Sequence, residues 1–140
     1  SSAAAGVERC VREGDALMVD SPHGAGIRWD GPALVDGRLW PAGDADIVWL
    51  PQGRHAIRPA KERIAMRLLD LTGDLISASG LASGLEFTYS SSGRALASLD
   101  KKPGKMRVDD QPAQFPMLES PGRVILRLPG GRHRVHVETQ

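Results

Sequence analysis

The sequence predicts an all-β protein made of antiparallel strands, and three observations predict it. Apolar and polar residues alternate with a period of two along most of the apolar runs. Turn residues break these runs at intervals of about ten residues. The pattern L-P-x-G-R-H occurs twice, with apolar residues at equivalent places on either side. Composition agrees: of 140 residues, 41% are hydrophobic and 25% charged, the proportions of a folded chain. The 16 glycines and 10 prolines are spread along the chain, as many short elements joined by tight turns require.

In chain order, strands are expected at residues 16–19, 47–50, 85–89, 105–108, 124–128 and 132–137. Turns are expected at 21–24, 30–32, 36–37, 51–53, 71–74, 91–93 and 129–131, each rich in Gly, Pro, Asp or Ser. Residues 60–71 fit two periods. Ile64, Leu68 and Leu71 share a helical face, yet Ile64, Met66 and Leu68 also alternate with Ala65, Arg67 and Leu69. Strand is favoured, because 71–74 then makes a hairpin into 75–78; a short helix is the alternative.

The duplicated motif organises the chain. Residues 47–57 match residues 125–135, Val35-Asp36-Gly37 resembles Val108-Asp109-Asp110, and 17–21 can be laid on 85–90. In both copies proline presets the first central turn position and glycine closes the turn, so a hairpin is expected. Its structural residues are Pro51, Gly53 and His55 in the first copy, and Pro129, Gly131 and His133 in the second. Residues 58–140 read as about seven strands, enough for an immunoglobulin-like sandwich. Residues 1–57 read as about five, too few for a comfortable core of their own. The expected organisation is a shorter N-terminal β unit, 1–57, packed on an immunoglobulin-like β-sandwich, 58–140, the two being related by the repeat.

Several function classes are not expected. The formal net charge is +1 and basic residues form no stripe, which argues against nucleic-acid or membrane partners. No apolar run has the length of a membrane span, and Ser1 to Gly6 lacks the features of a signal peptide. The single cysteine, Cys10, allows neither an intrachain disulfide nor a cysteine-based metal site. It reads as a small buried hydrophobe.

No complete catalytic site is visible, no metal site and no cofactor is expected, and the chain alone is not expected to be an enzyme. His133 and His136 are three apart, on opposite faces of an extended strand, so they make no metal pair. His55 and His133 are expected to hydrogen-bond near their turns and fix them. No G-x-S-x-G elbow accompanies the turn serines. Carboxylates are available at Asp44, Asp46, Asp70, Asp74, Glu86, Asp109 and Asp110. Those beside turns are expected to accept backbone hydrogen bonds, and Glu86 to be solvated.

The aromatic residues carry the best functional hint. The three tryptophans, Trp29, Trp40 and Trp49, all lie in the first unit. Sugar rings present flat C–H faces on which an exposed indole stacks. Trp49 stands where the second copy has Arg127, between residues that match Leu126 and Leu128, so alternation turns it outward. Trp40, in a loop before Pro41, is the second candidate. Trp29 is expected to pack.

Gly84-Leu85-Glu86-Phe87-Thr88-Tyr89-Ser90-Ser91, Arg94-Ala95-Leu96, Pro103, Val108-Asp109-Asp110, Leu128-Pro129-Gly130-Gly131-Arg132-His133 and the terminal strand together resemble the β-sandwich accessory domains of bacterial carbohydrate-active proteins such as glycoside hydrolases. The resemblance covers roughly 84–137, with a partial echo in 33–57. Asp110 departs from it, where Asp-Gly is more usual. It implies a non-catalytic accessory module, secreted or periplasmic, that binds glycan weakly or braces a catalytic domain. The expected partner is therefore a carbohydrate, or a catalytic domain or partner chain. Two alternatives stand beside it: a structural or adhesive protein-interaction domain without a sugar ligand, and a glycoside hydrolase fragment with a carboxylate site between the units.

Overall fold

The computed structural model describes residues 9–140, so Ser1 to Gly6 lie outside the described residues. In chain order the strands are β1 (Arg9–Glu13), β2 (Ala16–Ser21), β3 (Ala25–Arg28), β4 (Ala33–Val35), β5 (Arg38–Leu39), β6 (Ile47–Leu50) and β7 (Gly53–Pro59), then β8 (Leu68–Leu71), β9 (Asp74–Leu81), β10 (Gly84–Ser91), β11 (Ala95–Leu99), β12 (Pro103–Val108), β13 (Gln111–Pro112), β14 (Met117–Ser120), β15 (Arg123–Leu128) and β16 (Gly131–Thr139). No helix occurs among the described residues, and every strand pairing is antiparallel. The protein is all-β, with antiparallel sheets of sandwich type.

Alternation builds the strands. In β10, Leu85, Phe87 and Tyr89 are buried while Glu86 and Thr88 are not. In β15, Val124, Leu126 and Leu128 are buried and Arg127 is exposed. Each such side chain contributes about 1.5–3 kcal/mol by leaving water. The buried residues of the described chain form one apolar cluster running from Leu17 to Val137.

The first half forms a five-stranded sheet, β1-β2-β7-β4-β5, and a ribbon, β3-β6. The second half forms a five-stranded sheet, β9-β10-β16-β12-β13, and a four-stranded one, β8-β11-β15-β14. In both five-stranded sheets the central strand is the one that follows L-P-x-G-R-H. Both also end in a two-residue hairpin, β4 to β5 through Asp36-Gly37 and β12 to β13 through Asp109-Asp110. Positive φ at both central residues (51° and 82°, then 51° and 67°) is what the twist of a two-residue hairpin demands.

The sequence expectation of a hairpin at L-P-x-G-R-H is overturned. β6 pairs with β3 and β7 with β2 and β4; β15 pairs with β11 and β14, and β16 with β10 and β12. The strands on either side of Pro51 and Gly53, and of Pro129 and Gly131, never pair with each other. Each turn carries the chain from one sheet to the other. Proline, followed by a glycine at φ 116° or 97°, makes a tight corner, and local turn chemistry does not say which sheet the outgoing strand joins. The same correction applies to 71–74, since β8 and β9 belong to different sheets. Of residues 60–71, only β8 is strand. Leu17 lies opposite Ile57 as Phe87 lies opposite Val135, so by strand register 17–21 match 87–91 and not 85–90.

The halves meet along a short seam. The amide of Leu68 donates to Pro41 O (3.0 Å), that of Gly43 to Leu68 O (2.9 Å) and that of Trp49 to Ala42 O (3.1 Å). Residues 41–43 therefore run between β8 and β6, parallel to one and antiparallel to the other. This seam places β6, with Trp49, beside β8 and the start of β9.

Candidate functional site

Two constructions draw the predicted residues together. The first is an Asp–His clasp at each corner. Asp36 opens the β4–β5 turn; its Oδ1 accepts the amide of Ala56 (2.9 Å) and its Oδ2 lies 2.7 Å from His55 Nδ1. Asp109 does the same in the second half, with the amide of Arg134 (3.0 Å) and His133 Nδ1 (2.7 Å). Each ring then reaches the corner with Nε2, His55 to Pro51 O and His133 to Gly130 O, both at 2.9 Å. The clasp thus ties the sheet-crossing corner to the neighbouring hairpin.

At the second clasp both ring nitrogens face oxygens that only accept, so the doubly protonated ring satisfies both. The hydrogen bond to Asp109 holds the His133 imidazole above its ordinary pKa, against the opposing effect of burial. The same bond, helped by the Arg134 amide, holds Asp109 below the usual carboxylate range. Tyr89 lies behind the ring and donates its hydroxyl to Pro129 O (2.6 Å). Burial, then the charge of Asp109, pushes its pKa up to about 12.

The second construction is a groove of about 760 Å³ over the seam, within the range of small-ligand sites. One wall is Trp49 to Gln52 with the His23–Gly26 stretch; the other is β8, the start of β9, Ser90 and Arg132. Trp49 is 47% exposed. Its ring covers Gly26, its cross-strand partner: a Cβ there would lie 3.3 Å from Cζ3 and 3.5 Å from Cε3. A side chain at position 26 would press on the ring by a few tenths of an ångström.

Trp40 is a correction. It is 5% exposed, and its Nε1 donates to Trp49 O at 2.7 Å. The position before Pro41 looked open in the sequence, but its amide is tied to Ala33 O and its indole to Trp49 O. Trp40 cannot stack on a ligand; it props the backbone that carries Trp49. Trp29 is half-buried against the core, with its Nε1 buried and unpaired.

The remaining candidates disperse. His136 Nδ1 lies 3.5 Å from Glu86 Oε2, away from the His133 clasp. Glu86, expected to be solvated, is half-buried and pairs with Arg134 Nε at 3.3 Å. Asp44 accepts the amides of Asp46 (2.8 Å) and Ile47 (2.9 Å) within its own turn. Asp70 and Asp74 both line the groove, although one oxygen of Asp70 takes the Leu71 amide (2.9 Å). Cys10 is partly buried against the core.

Sequence reasoning missed the acid half of each clasp. Asp36 and Asp109 were already aligned by the repeat, and pairing them with the equally aligned histidines was the available signal. The groove has no sequence signal, because its walls come from strands far apart in the chain. Protein-family models, curated proteins and solved structures yield no match to this chain.

Proposed function

We propose that this protein is a non-catalytic glycan-binding module of carbohydrate-processing machinery, built from two related immunoglobulin-like units. The observation that carries the reading is the exposed Trp49 ring, seated on Gly26 at the wall of a groove that also offers polar side chains. Apolar platform and polar rim together are what a sugar needs, since its ring faces are apolar and its hydroxyls are not. The relatedness of the units is supported by their equal strand orders and by the matching Asp–His clasps.

Titration with soluble polysaccharides, following tryptophan fluorescence, tests the reading. Trp49 is the most exposed indole among the described residues, so its emission should shift on binding, and Trp49→Ala should abolish both the shift and retention in a glycan-containing gel. Absence of any response across the panel would sink the proposal.

A second reading, a protein-interaction domain that braces a partner, is favoured by a different surface. Edge strand β14 exposes Met117 (43%) and Leu118 (67%), with Leu96 (45%) on the same sheet. Edge strands with exposed apolar residues are templates for pairing. Concentration-dependent self-association, removed by Leu118→Lys with glycan binding absent, would favour it.

A further inference from the structure

We infer that the groove reads the hydroxyls of a neutral glycan through a row of three side chains, Asp74, Ser90 and Arg132, facing the Trp49 platform. The inference rests on the glycan-binding reading and adds the chemical class of the sugar and the residues that select it.

The row follows from register. Ser90 on β10 lies opposite Asp74 on β9 and opposite Arg132 on β16. Three cross-strand neighbours therefore stand side by side on one sheet, and all three line the groove. Adjacent strands are about 4.8 Å apart, so the outer two backbones are separated by about 10 Å with the small serine between. Asp74 and Arg132 form no ion pair with each other, and Arg132 forms none with any described residue.

The first half shows what is unusual about this. There, Asp20 lies opposite Arg54 at the equivalent place, and the two pair at 3.7 Å. In the second half serine replaces that aspartate, and the arginine that it would have occupied stands at the groove instead. An acceptor at one end, a fork of donors at the other and a hydroxyl between complement adjacent sugar hydroxyls, which both donate and accept. Charge selects the class. Asp70 and Asp74 outnumber Arg132 as formal charges along the groove, so a carboxylated sugar meets net repulsion where a neutral one does not.

The test is calorimetric titration of the whole chain with neutral polymers (galactomannan, soluble starch, hydroxyethylcellulose) and with polyuronates (polygalacturonate, alginate). At least one neutral polymer should bind, at least tenfold more tightly than either polyuronate. Arg132→Met and Asp74→Asn should each weaken that binding at least fivefold. Ser90→Asp, which restores the pairing seen at Asp20 and Arg54, should weaken it similarly while leaving the melting temperature unchanged or higher. Asp20→Ser, away from the groove, should bind as the parent does. If Trp49→Ala abolishes binding while the Arg132, Asp74 and Ser90 variants stay within twofold of the parent, this inference falls and the glycan reading stands. Tighter binding of a polyuronate overturns the neutral class. Failure of every polymer overturns both.

Discussion

The two Asp–His clasps are built from the same parts and close on different carbonyls. In the first, His55 Nε2 sits 2.9 Å from Pro51 O, with Gln52 O further off at 3.3 Å. In the second, Pro129 O is taken by the Tyr89 hydroxyl, and His133 turns to Gly130 O. The residue across the strand decides this. Val19 faces His55, whereas Tyr89 faces His133 with ring centroids 5.9 Å apart. A branched aliphatic leaves the proline carbonyl to the imidazole; a phenol claims it first. A repeated motif fixes which groups must be satisfied, while its neighbours decide by whom. The halves differ elsewhere too: the tyrosine ties the second corner to the core, and the first half exposes Trp49.

The strongest test of that contrast removes the two neighbours. Tyr89→Ala leaves a cavity and an unsatisfied carbonyl, and should cost about 3–5 kcal/mol, the range of large aromatic truncations. Val19→Ala should cost about 1–2 kcal/mol. Equal losses in urea unfolding would show that the two neighbours support their corners alike.

The folded pKa of His133 is raised, so its stabilisation is complete below the ordinary imidazole range and fades as pH climbs through the raised value. The folded pKa of Asp109 is lowered, so its share is complete above the ordinary carboxylate range and fades as pH falls through the lowered value. The second clasp is therefore tightest between about pH 4 and 6.5. Urea midpoints at pH 5.5 and 9 should fall with rising pH in the parent, and His133→Gln should flatten that slope.

The smallest expected effect concerns the hairpins. Asp110 holds φ 67° where the first half has Gly37, a conformation that costs a non-glycine residue about 1–2 kcal/mol. Asp110→Gly relieves it but gives up the ion pair with Arg134, a surface interaction worth about 0–1 kcal/mol. A net gain of about 0–2 kcal/mol is expected in thermal unfolding; a loss would show that the ion pair dominates.

Much of the fold was legible because it is local. Alternation located β6, β10, β15 and β16, and it turned Trp49 outward from the neighbouring Val48 and Leu50. The turn at Asp36-Gly37 was readable from its residues. What local rules could not supply was partnership across distance. Pro51 and Pro129 looked like hairpin turns because nothing nearby says that β7 and β16 are claimed by other strands. Trp40 looked exposed because the carbonyl that takes its indole N–H, that of Trp49, lies in another strand. Asp74, Ser90 and Arg132 come together only through the register of three strands.

The seam at residues 41–43 sets one last condition. Gly43 sits at φ 129°, and a Cβ there would fall 2.0 Å from the carbonyl oxygen of Ile47. Nothing larger than hydrogen fits without driving β6 away from its neighbour. Under mutation the chain is thus unevenly forgiving: an open turn such as Gly93, where an added Cβ meets nothing within 4 Å, has room for other residue types, while position 43 has an alphabet of one letter.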